Sequence, residues 1–449
     1  MEFNLFKEKL FEEANKAGFE EYEIYYADGE SLSINIYEGE VEKYKLNTAF
    51  GLSFRGKING KMGYSYSEIL DEEAIKTLIE NAKSAALTIE NDDVKFIYEG
   101  DKEYKEIDCF KKELEGINPD KYIELALQME KECKKQCDKV INFSSCAIGY
   151  GKSTYGIINS KGLNLKNERN SLSAYVIPII EADGEKYDGM GYVLAQKLDD
   201  IKPDELAKQA IEEATSRIGG KSIPSGNYKI IINNEAMVSL LGTFSSIFNS
   251  EQAQKGLSLL QGKEGEIIAS DIVTLIDDPH LKDGLGTCSF DDEGVATYTK
   301  EIVTNGKLNT LLYNLKTANK AGVKSTGNGF KSSYASTVGV SETNFYIKPG
   351  EKTFDELCEI VKDGVIITEF AGLHSGASSV TGDFSLAAKG FMIENGKKTF
   401  PVEQITIAGN FFTLLKDIEE VGCDLKFPMS SIGSPSIIVK ELSLSLIHI

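Results

Sequence analysis

Apolar and polar residues alternate with a period of two through much of the first hundred residues, as in half-buried strands. Turn-forming pairs at Asp28-Gly29 and Asn59-Gly60 separate these stretches. From Asp71, apolar positions recur at helical spacing and predict a helix with one buried face. The pattern predicts an α+β unit over 1–100, with strands at 22–27, 32–37, 49–54 and 62–66.

A second unit with the same alternation is predicted over 118–220, after a polar, irregular linker at about 91–118. It opens at Asn118-Pro119, an N-cap followed by proline, which starts a helix that runs to about residue 139. A helix from Pro203 to about residue 217 closes the unit. Between the two helices, antiparallel strands are predicted at 140–147, 155–159, 163–167 and 171–181.

The remaining residues, 227–443, predict a strand-rich C-terminal domain. A strand at 228–232 leads into a helix near Glu235, and Asn305-Gly306 and Asn395-Gly396 each lie between β-forming residues as hairpin turns. A curled sheet or a barrel is the expected closure of so many strands. The predicted fold class is α+β, with N-terminal units of antiparallel sheets and packed helices before this domain.

Charge and composition narrow the function classes. The chain has 449 residues and a net charge of −21, which disfavours nucleic acid and anionic lipid as partners. It contains no stretch of about 20 apolar residues and starts with an acidic segment, so a cytoplasmic protein is expected. Its seven cysteines form no CxxC, which favours reduced thiols. The last six residues, 444–449, resemble translated sequencing adapter, and His448 among them carries no argument.

Motifs for hydrolysis are missing from the sequence: it has no HExxH, no GxSxG and no phosphate loop. His280 and His374 are the remaining imidazoles. Loops at 325–333 and 371–385 are rich in small and polar residues and can present backbone N–H groups to a peptide. Ordinary solvated loops are the alternative for both of them. Acid-rich turns that could hold a cation contain Asp277, Asp278, Asp291, Asp292 and Glu293.

Five segments in fixed order resemble the TldD/PmbA family, whose members were once described as modulators of DNA gyrase. The resemblance spans about residues 20–440. The segments are GLSFRGKINGKMGYSYS (51–67), IINNEAMVSLLGTFS (231–245), SFDDEGVATYTKEIVTNGKLNTLLYNLKTANKAG (289–322), STGNGF (325–330) and VTGDFSLAAKGFMIENGKKTFPVEQITIAGN (380–410).

The resemblance also indicates the branch of the family. TldD-like members carry HExxxH and a later cysteine as zinc ligands, and TldE/PmbA-like members lack them. Here Asn234 and Ser239 stand at the two histidine positions, and Glu235 alone is kept. Amide and hydroxyl groups are poor zinc ligands. The counterpart of the loop that carries the later cysteine, here called the ligand loop, lies in the C-terminal stretch VGCDLKFPMSSIGSPS (421–436). This loop has no cysteine, since Cys423 precedes it, so the chain resembles the TldE/PmbA type. A different metal site built from His280, His374 or Asp291 stays an open alternative.

The resemblance implies a non-catalytic subunit that pairs with a TldD-like HExxxH paralogue, binds no cofactor itself and leaves zinc to its partner. Unfolded peptides are the implied substrates, enclosed by the two loops. The expected substrate-binding residues are Asn328, Gly329, His374, Ser375 and Asp383.

Two functions of other classes remain open. One is an independent hydrolase that uses His374, Asp383 or the acid-rich turns. The other is a regulatory protein that binds a toxin, an antitoxin or gyrase. Exposed strand edges also allow a homodimer when the paralogue is absent.

Overall fold

The computed structural model describes residues 1–88 and 96–446, and one antiparallel sheet organises the N-terminal half. Short 3₁₀ turns lie at Lys112–Leu114 and Leu198–Asp200. In chain order the other elements are α1 (Phe3–Lys16), β1 (Glu21–Tyr37), β2 (Glu40–Ile58), β3 (Lys61–Ser67), α2 (Glu72–Thr88), α3 (Pro119–Gln136), β4 (Val140–Asn159), β5 (Asn164–Ala182), β6 (Glu185–Asp188), β7 (Gly191–Ala195) and α4 (Pro203–Ser216).

The two predicted N-terminal units share this single sheet, whose strand order is β3-β2-β1-β4-β5-β6, with β7 also paired to β5. β1 pairs with β4 from Glu23 opposite Asn159 to Asn35 opposite Ala147. The predicted turn at Asp28-Gly29 is wrong. Both residues lie inside β1, because β2 pairs with them on one side and β4 on the other.

The two faces of the sheet pack against different partners. Even-numbered residues of β1 face the helices: Ile24 packs in one core with α1 and α2, and Ile34 packs in another with α3 and α4. An odd-numbered residue, Tyr25, lies on the opposite face and joins a cluster with Phe290 of the C-terminal domain. The sheet therefore stands between its own helices and the second half of the chain.

The C-terminal half is rich in strands, as predicted. A 3₁₀ turn lies at Ser245–Phe248. Its other elements are β8 (Gly226–Ile232), α5 (Asn234–Phe244), α6 (Ser250–Gln254), β9 (Leu275–Asp277), β10 (Lys300–Thr304), β11 (Lys307–Leu308), α7 (Leu315–Ala321), β12 (Gly329–Phe330), β13 (Gly339–Val340), β14 (Phe345–Ile347), α8 (Phe354–Val361), β15 (Gly364–Ala371), α9 (Leu373–Gly376), β16 (Asp383–Glu394), β17 (Lys397–Asn410), α10 (Phe411–Lys416), β18 (Ile418–Val421), β19 (Ile432–Gly433) and β20 (Ile437–Leu446).

A closed ring of five strands forms the centre of this half. The order β17-β16-β15-β8-β20 closes because β20 pairs back onto β17. Both predicted hairpins are confirmed: Asn305 and Gly306 connect β10 to β11, and Asn395 and Gly396 connect β16 to β17. All four turn residues have positive φ, between 48° and 79°, as type I′ turns require.

The last described residues take part in the ring. Leu444 pairs with Ile407 and is 1 % exposed, and Leu446 pairs with Ile405. The adapter interpretation of 444–449 stays a prediction, although its first three residues lie in β20. Residues 447–449, with His448, and residues 91–95 of the predicted linker lie outside the described part of the chain. Within the described residues, no helix has the length and apolar character to cross a membrane.

Candidate functional site

Helix α5 starts directly after the barrel strand β8, and the surrounding backbone fixes its first turn. The Asn233 side chain accepts a hydrogen bond from the Ala236 N–H and caps the helix. Met237 and Leu241, both fully buried, anchor its inner face in the core. The opposite face, which carries Glu235 and Ser239, lines a cleft. The degenerate motif therefore borders open space.

The cleft has a volume of about 770 Å³ and lies between the N-terminal sheet unit and the C-terminal domain. Four segments surround the exposed face of α5: residues 188–192 beside β6 and β7, the end of α4, the end of β15, and the loop at 428–432. Its walls combine charged side chains with apolar ones. The charged and aromatic lining residues include Tyr192, Glu213, Arg217, Glu235, Glu369 and Phe370.

Glu235 is held by a cation from its own chain. One carboxylate oxygen, Oε1, accepts hydrogen bonds from Tyr192 Oη at 2.9 Å and from Lys426 Nζ at 2.5 Å. The same ammonium lies 5.1 Å from the centre of the Tyr192 ring. Burial, followed by the charge of Glu235, raises the pKa of Tyr192, so its phenol is a donor at neutral pH.

The two flanking positions of the motif are also occupied by intrachain bonds. Asn234 Nδ2 donates to the backbone oxygen of Asp424 at 3.0 Å, and the Asp424 carboxylate in turn accepts from the Ser436 hydroxyl at 2.7 Å. Ser239 Oγ donates to the backbone oxygen of Glu235 at 3.1 Å. Both polar side chains thus serve local structure.

These residues do not fit a zinc ion. Zinc sites in proteins use imidazole, thiolate or carboxylate groups, and here the motif offers one carboxylate, one amide and one hydroxyl. The Lys426 ammonium contacts that carboxylate and repels a second cation at short range. Across residues 1–88 and 96–446, no group of three or more His, Cys, Asp or Glu side chains could hold a metal.

A second charged group forms another part of the cleft wall. The Arg217 guanidinium contacts Glu213 at 2.6 Å and Glu369 at 3.2 Å. Glu213 also accepts the Met190 N–H at 2.8 Å, and burial raises the pKa of its carboxyl. None of these residues was predicted from the sequence, nor was Tyr192 or Lys426. Only Lys426 lies in a segment to which the family resemblance pointed, the ligand loop.

Asn328 and Gly329, predicted to bind substrate, lie in a buried network instead of an open loop. The Asn328 side chain is 0 % exposed, accepts from Lys300 Nζ at 3.0 Å and donates to Asp277 at 2.9 Å. The Gly329 N–H donates to Asp291 at 2.8 Å. Their contacts support the loop from inside, and the Asn328 side chain does not reach a cleft.

The cation-site interpretation of the acid-rich turns is wrong for the described residues, because their carboxylates already have partners. Asp277 forms a buried ion pair with Lys300 at 2.9 Å. Asp291 accepts backbone N–H groups of Glu293, Val295 and Gly329. Burial, and then the charge of Glu293, raises the pKa of Asp291. These acids hold the turns together.

The other predicted residues lie around α9, whose first residue, Leu373, lines the cleft. His374 and Ser375 follow it and are exposed. Asp383 starts β16, is also exposed and accepts a hydrogen bond from Asn410 Nδ2 at 2.9 Å. Thus α9 brings part of the second predicted loop to the rim of the cleft.

His280 belongs to a different part of the molecule. It lines a separate cavity of about 520 Å³ together with Cys109 and Arg169. Burial and then nearby Lys105 lower its pKa. Cys423, beside the loop that carries Lys426, is exposed as a free thiol. The structure gives His280 no place in the cleft over α5.

Comparison with protein families gives matches along nearly the whole chain. Family models described as the PmbA/TldA metallopeptidase match here: domain 1 at residues 22–86, the central domain at 112–218 and the C-terminal domain at 225–446. The curated protein named Metalloprotease PmbA, from Escherichia coli O157:H7, is 27% identical over 422 residues, which are 92% of this chain and 90% of that protein.

Solved structures agree with these matches. A Thermotoga maritima protein described as a modulator of a DNA gyrase is 34% identical, with a TM-score of 0.92 and coverage of 99% of this chain and 100% of its own. TldE from Thermococcus kodakarensis has the same fold, with a TM-score of 0.88, 21% identity and coverage of 98% and 100%.

Proposed function

The chain belongs to the PmbA/TldA metallopeptidase family, and we propose that it is a non-catalytic subunit of a zinc metallopeptidase complex that processes or degrades unfolded peptides. In this proposal a TldD-like paralogue with HExxxH supplies the zinc, and this chain supplies a binding wall and enclosure. A cytoplasmic location is part of the same proposal.

The contact between Lys426 and Glu235 is the observation that carries the proposal. A catalytic zinc site needs ligands with lone pairs directed at the metal and a free carboxylate that can act as a base. Here the carboxylate is bound by an ammonium and a phenol. The bound Glu235 carboxylate therefore forms part of a fixed polar wall and is not free to activate a water molecule.

The cleft suits an extended peptide. Glu213, Glu369 and Arg217 give fixed hydrogen-bonding groups on one side, while Phe370 and Leu373 give apolar contacts. Such a mixed wall can bind backbone groups of many sequences, because orientation comes from a few polar contacts and affinity from apolar burial.

The first test is the zinc content per chain, measured by mass spectrometry on protein grown with ample zinc and purified without chelator. We expect no stoichiometric zinc in this chain alone and zinc in the complex with a co-expressed HExxxH paralogue. Stoichiometric zinc in the isolated chain would overturn the proposal. Cleavage of an unfolded peptide by the isolated chain would favour an independent hydrolase instead.

A second test separates a binding role of the cleft from a catalytic one. Removing a general base lowers turnover by about 10²- to 10⁴-fold. For the complex we expect Glu235→Gln to lower kcat by less than about threefold, which is well below that range. Phe370→Ala should raise KM for an unfolded peptide with little change in kcat, because it removes binding that is equal in ground and transition states. Loss of kcat in Glu235→Gln would contradict the role proposed here.

A further inference from the structure

The chain contains three arginines, and they differ in their acidic partners. Arg55 forms an ion pair with Glu23 at 2.9 Å, and Arg217 contacts two glutamates of the cleft wall. Among the described residues, no Asp or Glu side chain forms an ion pair with Arg169. Acidic residues outnumber basic ones by 70 to 49 in this chain, so a guanidinium without a carboxylate partner stands out as a group available to an anionic ligand.

Arg169 lies on the face of β5 that is turned toward the C-terminal domain. Leu165, on the same face, packs in the cluster around Phe290. One N–H of the Arg169 guanidinium donates to the backbone oxygen of Leu285, which fixes its position. The guanidinium also lines the cavity of about 520 Å³ that contains His280, here called the arginine cavity. A guanidinium has five N–H donors in a fixed fork, so donors remain for a carboxylate.

The wall of the arginine cavity is held in place and is rich in cations. Asn170 binds the backbone of Lys111 twice: its side chain accepts from the Lys111 N–H at 2.8 Å and donates to the Lys111 oxygen at 2.9 Å. Lys105, Lys111 and Lys282 line the cavity together with Arg169, against three acidic residues. Cationic side chains thus outnumber acidic ones here, the reverse of the whole chain, and an anion would meet a preformed wall.

One row of side chains on β5 connects the arginine cavity to the cleft over α5. Odd-numbered residues from 169 to 177 are partly exposed, whereas the even-numbered residues between them are buried. Ile177 at one end of the row lines the cleft, and Arg169 at the other end lines the arginine cavity. The strand therefore offers a partly open path between the two sites.

Open space accompanies this row. A third cavity, again of about 520 Å³, is lined by Arg169 together with Met429 and Ser430. The last two residues also line the cleft. Arg169 is thus linked to the cleft through cavities that share lining residues.

The length of the row sets a spacing. Arg169 and Ile177 are eight residues apart along β5, which at about 3.3 Å per residue is roughly 26 Å. An extended peptide rises by the same amount per residue. A peptide with one segment in the cleft would therefore bring a residue about eight positions away to Arg169.

We propose that Arg169 is a specificity-determining residue that binds a carboxylate of an extended peptide, about eight residues from the segment held in the cleft. The preferred substrates are then unfolded peptides with an acidic side chain or a C-terminal carboxylate at that spacing, because the guanidinium fork matches the two oxygens of a carboxylate. The inference rests on the proposed peptide-binding role of the cleft and adds a substrate class to it.

Binding of labelled peptides to the full chain tests the spacing. Peptides of glycine, serine and asparagine carry one phenylalanine, for the apolar wall of the cleft, and one glutamate at a varied distance from it, in both orders. By fluorescence anisotropy, we expect the tightest binding at a separation of about eight residues. There the dissociation constant should be at least about tenfold lower than with glutamine in place of glutamate.

Variants of Arg169 test the contact itself. R169Q should abolish the preference for glutamate over glutamine and leave binding of the glutamine peptide unchanged, and R169K should keep part of the preference. R169E should reverse it, so that a peptide with lysine at this position binds best, a gain that a folding defect would not produce. K76Q, which removes an exposed charge of α2, is the matched control and should bind like wild type.

A further pair of peptides separates the two sources of the carboxylate. Both end about eight residues after the phenylalanine and contain no glutamate, one with a free and one with an amidated C-terminus. Tighter binding of the free acid assigns the site to a C-terminal carboxylate, and equal binding of the two assigns it to acidic side chains.

A glutamate preference that is absent at every spacing, or that persists in R169Q, would overturn the inference and leave the peptide-binding role of the cleft in place. If no peptide binds the chain, that role fails together with this inference. The zinc content of the chain tests the subunit role separately.

Discussion

Lys426 determines what the first turn of α5 can bind. Its ammonium occupies the space beside Glu235 and makes the carboxylate part of an internal ion pair. The pair is about one-third exposed, so its effect on folding is small, of the order of 1 kcal/mol or less. Its effect on metal binding is larger, because a divalent cation would have to approach a fixed positive charge.

Adding ligands to this turn should therefore not be enough to create a zinc site. We expect N234H/S239H to bind zinc weakly, and N234H/S239H/K426A to bind it at least about tenfold more tightly, because the repelling charge is gone. Isothermal titration calorimetry with zinc measures both affinities. K426A alone is the control and should bind no zinc. Equal affinity in the first two variants would show that Lys426 does not oppose the metal.

Asp292 makes stability depend on pH. Burial raises its pKa to about 6, although the Lys331 backbone N–H and ammonium favour the charged form. Because the folded pKa lies above the unfolded one, the stabilising contribution is full below about pH 4 and is lost as pH rises through 6. The difference between this pKa and the ordinary pKa of aspartate corresponds to roughly 3 kcal/mol of unfolding free energy at most.

We therefore expect D292N to remove this pH dependence. From pH 4 to 7, the free energy of unfolding of wild type minus that of D292N should fall by up to about 3 kcal/mol. Urea unfolding at several pH values measures it. D199N, which changes an exposed aspartate, is the matched control and should run parallel to wild type. A constant difference between wild type and D292N would disprove this titration.

At the residue scale, the sequence predicts which side chains occupy the degenerate motif, but it does not predict which distant residues contact them. Asn234, Glu235 and Ser239 were placed together by the motif, and the structure does group them on one helix. Lys426 and Tyr192 are 191 and 43 residues from Glu235 along the chain, and only the closed barrel and the shared sheet bring them to it. The small and polar residues around Asn328 predict an exposed loop, but Asn328 is buried, and local composition does not show whether a residue is buried.

At the scale of elements, local turn chemistry predicted the hairpins well and failed once. Asn-Gly pairs at 59, 305 and 395 form turns because both residues accept positive φ at low cost. Asp28-Gly29 has similar propensity, but strand pairing on both sides keeps it extended, and the turn occurs at Glu38-Gly39. Tertiary pairing outweighs a turn preference when both neighbouring strands are present.

The turn glycines differ in the space around them, which predicts different costs of substitution. Gly60 has a φ of 69°, and a Cβ added to it would meet no other atom within 4 Å, so G60A should cost about 1 kcal/mol of unfolding free energy. Gly306 has a φ of 79°, and its Cβ would lie 2.3 Å from the Ala269 backbone oxygen. G306A should cost roughly 2–4 kcal/mol. Urea denaturation compares the two, and equal costs would contradict the expected difference.

At the scale of the whole molecule, the shared sheet makes the first two family domains one structural unit. A buried ion pair joins Glu23 of β1 to Arg55 of β2 at 2.9 Å, and Asn159 of β4 donates to the same Glu23. Sequence patterns found two α+β units, since each has its own helices. They missed the pairing of β1 with β4, because pairing across more than a hundred residues leaves no local periodicity.

The two units should therefore not fold separately. We expect a fragment of residues 1–110 to aggregate or stay unfolded, because β1 would lose its β4 partner along thirteen paired positions. A fragment of residues 1–222, which keeps the sheet complete, should give a dispersed amide NMR spectrum. A dispersed spectrum from the shorter fragment would show that the first unit is autonomous.

The central position of β1 also predicts how fast its backbone amides exchange with deuterium. Its amides lie between two long neighbours, so their exchange with deuterium requires the sheet to open, whereas the outer amides of β2 at 40–49 meet solvent directly. The β1–β2 hairpin thus contains slowly exchanging and rapidly exchanging amides side by side. If another strand pairs with the outer side of β2, exchange of the amides at 40–49 should slow, while exchange of the β1 amides should stay unchanged.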